Sequence, residues 1–156
     1  MPNLAARLPT YAMIAASLAV PFEGLYTRAY HDKLAHGLPT VCYGMTKYDR
    51  PVKMGDEYTQ AQCEAFLAED LVKYHDQIFH CIHVKLTDEE WGATTDLAYN
   101  VGSGTVCKST VVKLFNKGEH AMACNYIAAY NKASGHVVRG LTRRRDAEIR
   151  VCKGKA

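Results

Sequence analysis

The stretch Glu23-Gly24-Leu25-Tyr26-Thr27-Arg28-Ala29-Tyr30-His31-Asp32, taken with Pro39-Thr40-Val41-Cys42-Tyr43-Gly44-Met45-Thr46, decides how the chain is read. An uncharged run, Tyr11 to Phe22, ends at Glu23. After it come aromatic and β-branched residues with glycines, the composition of short strands and turns. Tyr26–Tyr30 and Thr40–Tyr43 are the predicted strands, with turns at Gly37, Gly44 and Pro51. Two carboxylates, Glu23 and Asp32, bracket the first strand. A carboxylate at a helix end and another in the next strand or loop can face each other across a cleft. Glycoside hydrolysis needs that arrangement: an acid to protonate the leaving oxygen and a base to activate water. Spacing alone does not establish it, because most such pairs are solvated surface.

Outward from this stretch the chain reads as one domain of 156 residues. It is 48% hydrophobic and 22% charged, a balance that excludes a disordered chain. A formal charge of +3 with no basic aromatic repeat gives no case for nucleic acid, although it suits an anionic wall polymer. Six cysteines are many for this length. None forms Cys-x-x-Cys, and His80-Cys81-Ile82-His83, the nearest approach to a zinc pattern, lacks a second half. Disulfides in an oxidising compartment are the better account, with no metal and no cofactor.

Residues 1–10, with Pro2, Asn3 and Pro9, predict an irregular start. Tyr11–Phe22 is too short to span a bilayer, which takes about 20 residues. It reads as a buried first helix, with a weak membrane-associating or export segment as the alternative: Arg7 lies upstream, and Ser17-Leu18-Ala19 has the look of a cleavage site. Thr59-Gln60-Ala61-Gln62 is a capping-box pattern, followed by Cys63, Phe66, Leu67, Leu71, Tyr74 and Ile78 at helical spacing. This predicts a long helix over 59–80 with Glu64, Glu69, Asp70 and Asp76 as solvated surface. Thr87-Asp88-Glu89-Glu90 opens another helix, in which Trp91 belongs with Leu97 and Ala98 on the core face, and Gly102 and Gly104 end it. Ser109 caps a short helix stopped by Gly118, and a further helix over 119–130 turns Met122, Ile127 and Tyr130 inward. Asn131–His136 is a loop. A last helix runs from about Gly140 to Cys152, with Leu141, Ile149 and Cys152 inward. There is no internal repeat and no low-complexity segment.

Three blocks in order carry a resemblance to a known family. They are Glu23-Gly24-Leu25 with Ala29-Tyr30-His31-Asp32 and Thr40-Val41-Cys42-Tyr43-Gly44-Met45-Thr46; Ala98-Tyr99-Asn100-Val101-Gly102-Ser103-Gly104; and Gly140-Leu141-Thr142-Arg143-Arg144-Arg145 with Glu148. Together the chain resembles the bacteriophage endolysins of the phage-type lysozyme family (glycoside hydrolase family 24), from about Phe22 to Cys152. One departure stands out. Seven residues, Lys33 to Pro39, separate Asp32 from Thr40, where many members have five.

The resemblance implies an α+β fold of two lobes. Within a single domain over 1–156 it expects an N-terminal segment and first helix over 1–22, a small β lobe over 23–58, a connecting helix over 59–80 forming the back of the cleft, and a helical lobe over 81–156. It implies a muramidase acting on the β-1,4 bond between N-acetylmuramic acid and N-acetylglucosamine in peptidoglycan, for host lysis. Such a protein would be made in the host cytoplasm, act in the periplasm and be a monomer. Glu23 is the expected general acid, its proton affinity raised by partial burial beside Phe22 and Leu25. Asp32 is the expected base, and the hydroxyl of Thr40 helps to hold the water. The implied geometry is the inverting one, a carboxyl separation of about 6.5–9.5 Å. His31 and His36 have no part in the family pattern and read as loop surface. An arginine of the last helix reaches the catalytic glutamate in this family. Arg144 is chosen here, with Arg143 and Arg145 left to a solvated basic face. A lytic transglycosylase, which needs only the glutamate, and a non-catalytic wall-binding or membrane-active protein are the rival readings.

Sequence does not fix the cysteine pairing. Placement on the expected elements suggests Cys81 with Cys107, both at element ends, and Cys124 with Cys152 on the last two helices. That leaves Cys42 with Cys63, a bond that would tie the strand after Thr40 to the long helix.

Overall fold

The computed structural model describes residues 8–155, so the first seven residues of the expected irregular start lie outside it. The first helix, α1 (Thr10–Glu23), is rich in alanine, a strong helix former with a small side chain. It buries Ala12, Ala15, Leu18 and Ala19. α1 lies close against α3 (Asp88–Val101), and Gly92 allows the approach: a Cβ there would stand 2.4 Å from Cγ2 of Ile14. Glu23 is the final residue of α1, and Gly24 follows at φ +68°.

The chain then forms an antiparallel hairpin of β1 (Tyr26–Asp32) and β2 (Leu38–Cys42). Tyr30 pairs with Thr40 and Asp32 with Leu38. Residues two apart on a strand share a face, as do residues directly opposite, so Tyr30, Asp32, Leu38 and Thr40 share one face of the hairpin. The connection is closed tightly. Lys33–Ala35 make a single 3-10 turn, His36 and Gly37 take left-handed backbone, and the Gly37 N–H donates to the Asp32 carbonyl at 2.7 Å.

α2 (Gln60–Phe79) opens with the expected capping box between Thr59 and Gln62. It runs through both halves of the interior. Cys63, Leu67 and Leu71 pack with Val41 and Met45 of the hairpin region and with Ala15 and Ala19 of α1. Ile78 joins the larger core of Leu97, Val106, Val111, Phe115 and Ile127. That helical core is completed by α3, capped by Thr87 and Glu90, and by α4 (Ser103–Cys107), α5 (Thr110–Asn116), α6 (His120–Tyr126) and α7 (Arg139–Cys152). The class is α+β. Among the described residues no helix is long and apolar enough to cross a membrane.

Three disulfides join Cys42 to Cys63, Cys81 to Cys107 and Cys124 to Cys152. The first ties the end of β2 to the first turn of α2.

Four expectations are corrected. Asp70 is not solvated surface; it is 1% exposed and ion-paired to Arg50 at 2.6 Å. It falls on the α2 face of Cys63, Leu67 and Tyr74, and its cation comes from the loop after the hairpin, twenty positions away. Burial, with Asp49 adding to it, pushes the Asp70 carboxyl up to about 7 against the opposing pull of Arg50. Arg145 is likewise not a solvated base. It is 1% exposed and paired within α7 to Glu148, which is fully buried. Met122 is 56% exposed, because the buried face of α6 runs through Ala123 and Cys124 to Ile127, and Met122, five positions before Ile127, lies off it. The expected 131–136 loop contains a small hairpin, β3 (Lys132–Ala133) with β4 (His136–Val137), turned by Ser134 and Gly135 at positive φ.

Candidate active site

Glu23 projects from the C-terminal end of α1, where unpaired carbonyls make an anionic side chain unfavourable. Its side chain is 18% exposed. Oε1 accepts a hydrogen bond from Nη1 of Arg144 at 2.6 Å. On the other side Gly44, at φ +78°, comes so close that a Cβ would stand 2.4 Å from Oε2. The Gly44 turn is held in place by Tyr99 of α3, whose hydroxyl donates to the Tyr43 carbonyl at 2.6 Å. Burial is the main force on the Glu23 carboxyl and pushes it upward. Arg144 opposes this, while Asp96 and Asp32 add to it. On the sign, burial therefore outweighs the ion pair.

Arg144 is itself 3% exposed and fixed from α3. Asp96, with no exposure, takes Nε at 3.1 Å and Nη2 at 2.8 Å, a two-pronged grip. The ring of Phe22 covers the guanidinium with a centroid distance of 5.8 Å. Two anions raise the Arg144 pKa in spite of its burial.

Asp32 is in different surroundings. It is half-buried on the hairpin, and its Oδ1 accepts from the Leu34 N–H at 3.0 Å, capping the 3-10 turn. Thr40 is 2% exposed, and its hydroxyl donates to the Leu38 carbonyl at 3.0 Å. The hydroxyl hydrogen is thus committed, and the oxygen lone pairs are left to accept. His31 holds the connection closed through a contact between Nδ1 and the Gly37 carbonyl at 2.8 Å; His36 is exposed.

A cleft of about 540 Å³ opens beside Glu23. Glu23, Leu38 and Gly44 line one side, and Tyr74, Tyr99 and Asn100 another; Asp32 and Thr40 are not part of this lining. The arrangement provides a largely buried, cation-bound carboxyl in the cleft wall and a second, half-buried carboxyl on the hairpin. Among the described residues no three His, Cys, Asp or Glu side chains gather as a metal site. Of the residues marked from sequence, the structure joins Glu23 directly to Arg144 and brings Asp32 near enough for its charge to act on Glu23. Sequence reasoning missed Asp96, Tyr74 and Asp49. The signal for Asp96 was present: it is an acid on a helix of core residues, between Ala93 and Tyr99 at helical spacing. Tyr74 donates to Asp49 at 2.9 Å, and Asp49 accepts the Thr46 N–H at 3.0 Å, which fixes the turn lining the cleft.

The phage lysozyme family model matches residues 20–148. The chain belongs to the phage lysozyme family. It is similar to the SAR-endolysin of Pseudomonas phage phiKMV, with 39% identity over 148 residues, 90% of this chain and 88% of that protein. It is similar also to the SAR-endolysin of Enterobacteria phage P21, with 35% identity over 130 residues, 83% of this chain and 76% of that one. Among solved structures, the endolysin from Escherichia coli O157:H7 phage FAHEc1 superposes with a TM-score of 0.77 at 29% identity, over 92% of this chain and 90% of its own. The active form of the P1 phage endolysin Lyz shares the fold, with a TM-score of 0.82 at 21% identity over 97% and 89% of the two chains. This phage lysozyme is a peptidoglycan-hydrolysing enzyme whose family serves host lysis.

Proposed function

We propose that the enzyme is an inverting muramidase, which cleaves the β-1,4 bond between N-acetylmuramic acid and N-acetylglucosamine. The observation that carries this reading is the contrast between the two carboxyls. Glu23 is largely withdrawn from water at a helix end in the cleft wall, 18% of its side chain exposed, and biased toward its protonated form, as a general acid requires. Asp32 stands on the hairpin with Oδ2 unengaged by any described residue, as a base for water requires. Thr40, its hydroxyl hydrogen already given to Leu38, offers lone pairs on the same face as Asp32 and would accept from that water. Arg144 orients Glu23 through one oxygen. In the reaction Glu23 gives its proton to the glycosidic oxygen as the bond lengthens, and Asp32 takes a proton from the water attacking the opposite face of the sugar. The acid ends as a carboxylate beside Arg144 and Asp32 as a carboxylic acid; Asp32 releases its proton to solvent and solvent returns one to Glu23. By this reading the enzyme is made in the host cytoplasm and works in the periplasm on glycan strands, as a monomer.

Product analysis tests it. Proton NMR of a fresh digest should show the α-anomer first, and mass spectrometry should show reducing ends. A β-anomer would overturn the inverting geometry. An anhydro-muramyl end would replace hydrolysis by transglycosylation.

A further inference from the structure

The interior between α1, α3 and α7 holds three carboxyls, Glu23, Asp96 and Glu148, and two guanidiniums, Arg144 and Arg145. All but Glu23 are almost wholly buried. Unbalanced charge is costly there, and arginine does not give up its proton, so two carboxylates balance the two cations and the third carboxyl is best neutral. Geometry decides which one. Glu148 is sealed in with Arg145; burial and Asp96 push its carboxyl upward, but a proton there would leave Arg145 with the Tyr130 carbonyl in place of an anion. Asp96 holds Arg144 by two bonds. Glu23 holds it by one, is the most exposed of the three and stands at a helix C-terminus. A proton on Glu23 leaves both cations paired.

Resting on the reading of Glu23 as the acid, we propose that Asp96 is a positioning residue: its two-pronged grip on Arg144 takes up that cation's charge and aims Nη1 at one oxygen of Glu23, so Glu23 is oriented yet keeps the proton it must donate. An arginine facing Glu23 without Asp96 would orient the side chain equally well but hold it as a carboxylate, the wrong form for an acid. The other groups around Glu23 agree with this. Asp32 from the hairpin also favours the protonated form, and the nearby hydroxyls of Tyr99, Tyr74 and Tyr30 all titrate above their usual range and stay neutral. Around Asp96 the charged neighbours are Arg144, Glu148 and Glu23.

The experiment has two parts. In the wild type, carbon-detected NMR titration of the side-chain carboxyls should show Asp96 ionised throughout the active pH range while Glu23 is protonated at the optimum. Asp96 protonated with Glu23 ionised there would overturn the proposal, and this measurement needs no variant to fold. In Asp96→Asn the Glu23 titration and the basic limb of kcat/KM should both move to lower pH by about one unit or more, with the low-pH plateau largely kept. Adding Arg144→Gln should move both back up. A lowered plateau with an unmoved limb and unmoved Glu23 titration means a merely structural role and overturns the proposal. If the Glu23 titration moves but the rate limb does not, Asp96 keeps its role and Glu23 loses the acid's.

Discussion

Glu23 and Asp32 are nine positions apart in the chain, yet they belong to two kinds of structure. Glu23 is fixed from three helices: it ends α1, is bonded to Arg144 of α7, and Arg144 is gripped by Asp96 of α3. Among the described residues Asp32 is fixed by its own hairpin, through Leu34 and the closed connection to Leu38. The two carboxyls are thus held by different means, and on the proposed reading that difference fits them to opposite tasks. Burial at a helix end raises the hold of Glu23 on its proton even beside a cation. The Glu23 site is also the demanding one, since the charges behind it must be balanced by buried partners.

The sharpest test of this contrast replaces each carboxyl by its amide. Glu23→Gln should lower turnover by roughly a thousandfold or more, and Asp32→Asn by roughly a hundredfold or more. Stability gives a second test of Glu23. The Glu23 pKa is raised in the folded protein, so the wild type loses stability as pH climbs past the ordinary value of 4.5 toward the folded one. Glu23→Gln removes that loss and should gain melting temperature relative to wild type as pH rises through this window. A Glu23→Gln melting temperature that does not rise relative to wild type with pH would break the reading of Glu23.

The next test presses on the contact between the regions. Gly44→Ala would place a methyl against Oε2 of Glu23 at a backbone angle that alone costs about 1–2 kcal/mol. The flexible glutamate would give way, so we expect a modest fall in melting temperature and a fall in kcat of roughly a hundredfold. A fall in melting temperature with kcat unchanged would show that the position of Glu23 is not set from the Gly44 side.

The smallest effect on rate is expected from the hairpin's covalent tie. Cys42→Ser with Cys63→Ser opens a link across 21 residues, worth roughly 3 kcal/mol of chain entropy. If the bond braces the strand carrying Thr40, mild reduction should slow wall clearing before circular dichroism changes. Coincident loss of rate and structure would make it a stability element only.

Much of this was legible in the sequence. Caps are local, so Thr59 with Gln62 and Thr87 with Glu90 were readable from spacing alone. The end of the helix before Gly102 was marked by its glycines. The two strands followed from aromatic and β-branched residues and turns, and their pairing came with the structure. The misreadings share one cause. Asp70, Arg145 and Asp96 were taken as surface or passed over because a charge on a helix is usually solvated. Each in fact lies on the apolar face of its helix, where the periodicity pointed to burial. Met122 was placed with Ile127 although the two are five positions apart, a spacing that does not share a helical face.

The sequence by itself determined the elements, their caps and the order of the blocks around Glu23, because these depend on neighbours within a few residues. It also carried the family resemblance, and with that the reading of Glu23, Asp32, Thr40 and Arg144. Tertiary structure alone decided which charges are inside and what answers them. Arg50 meets Asp70 across twenty positions, Arg144 meets Asp96 across 48 and Glu23 across 121. A carboxyl's proton affinity is set by the water it has lost and the charges it faces, and both become defined only when α1, α3 and α7 have packed together.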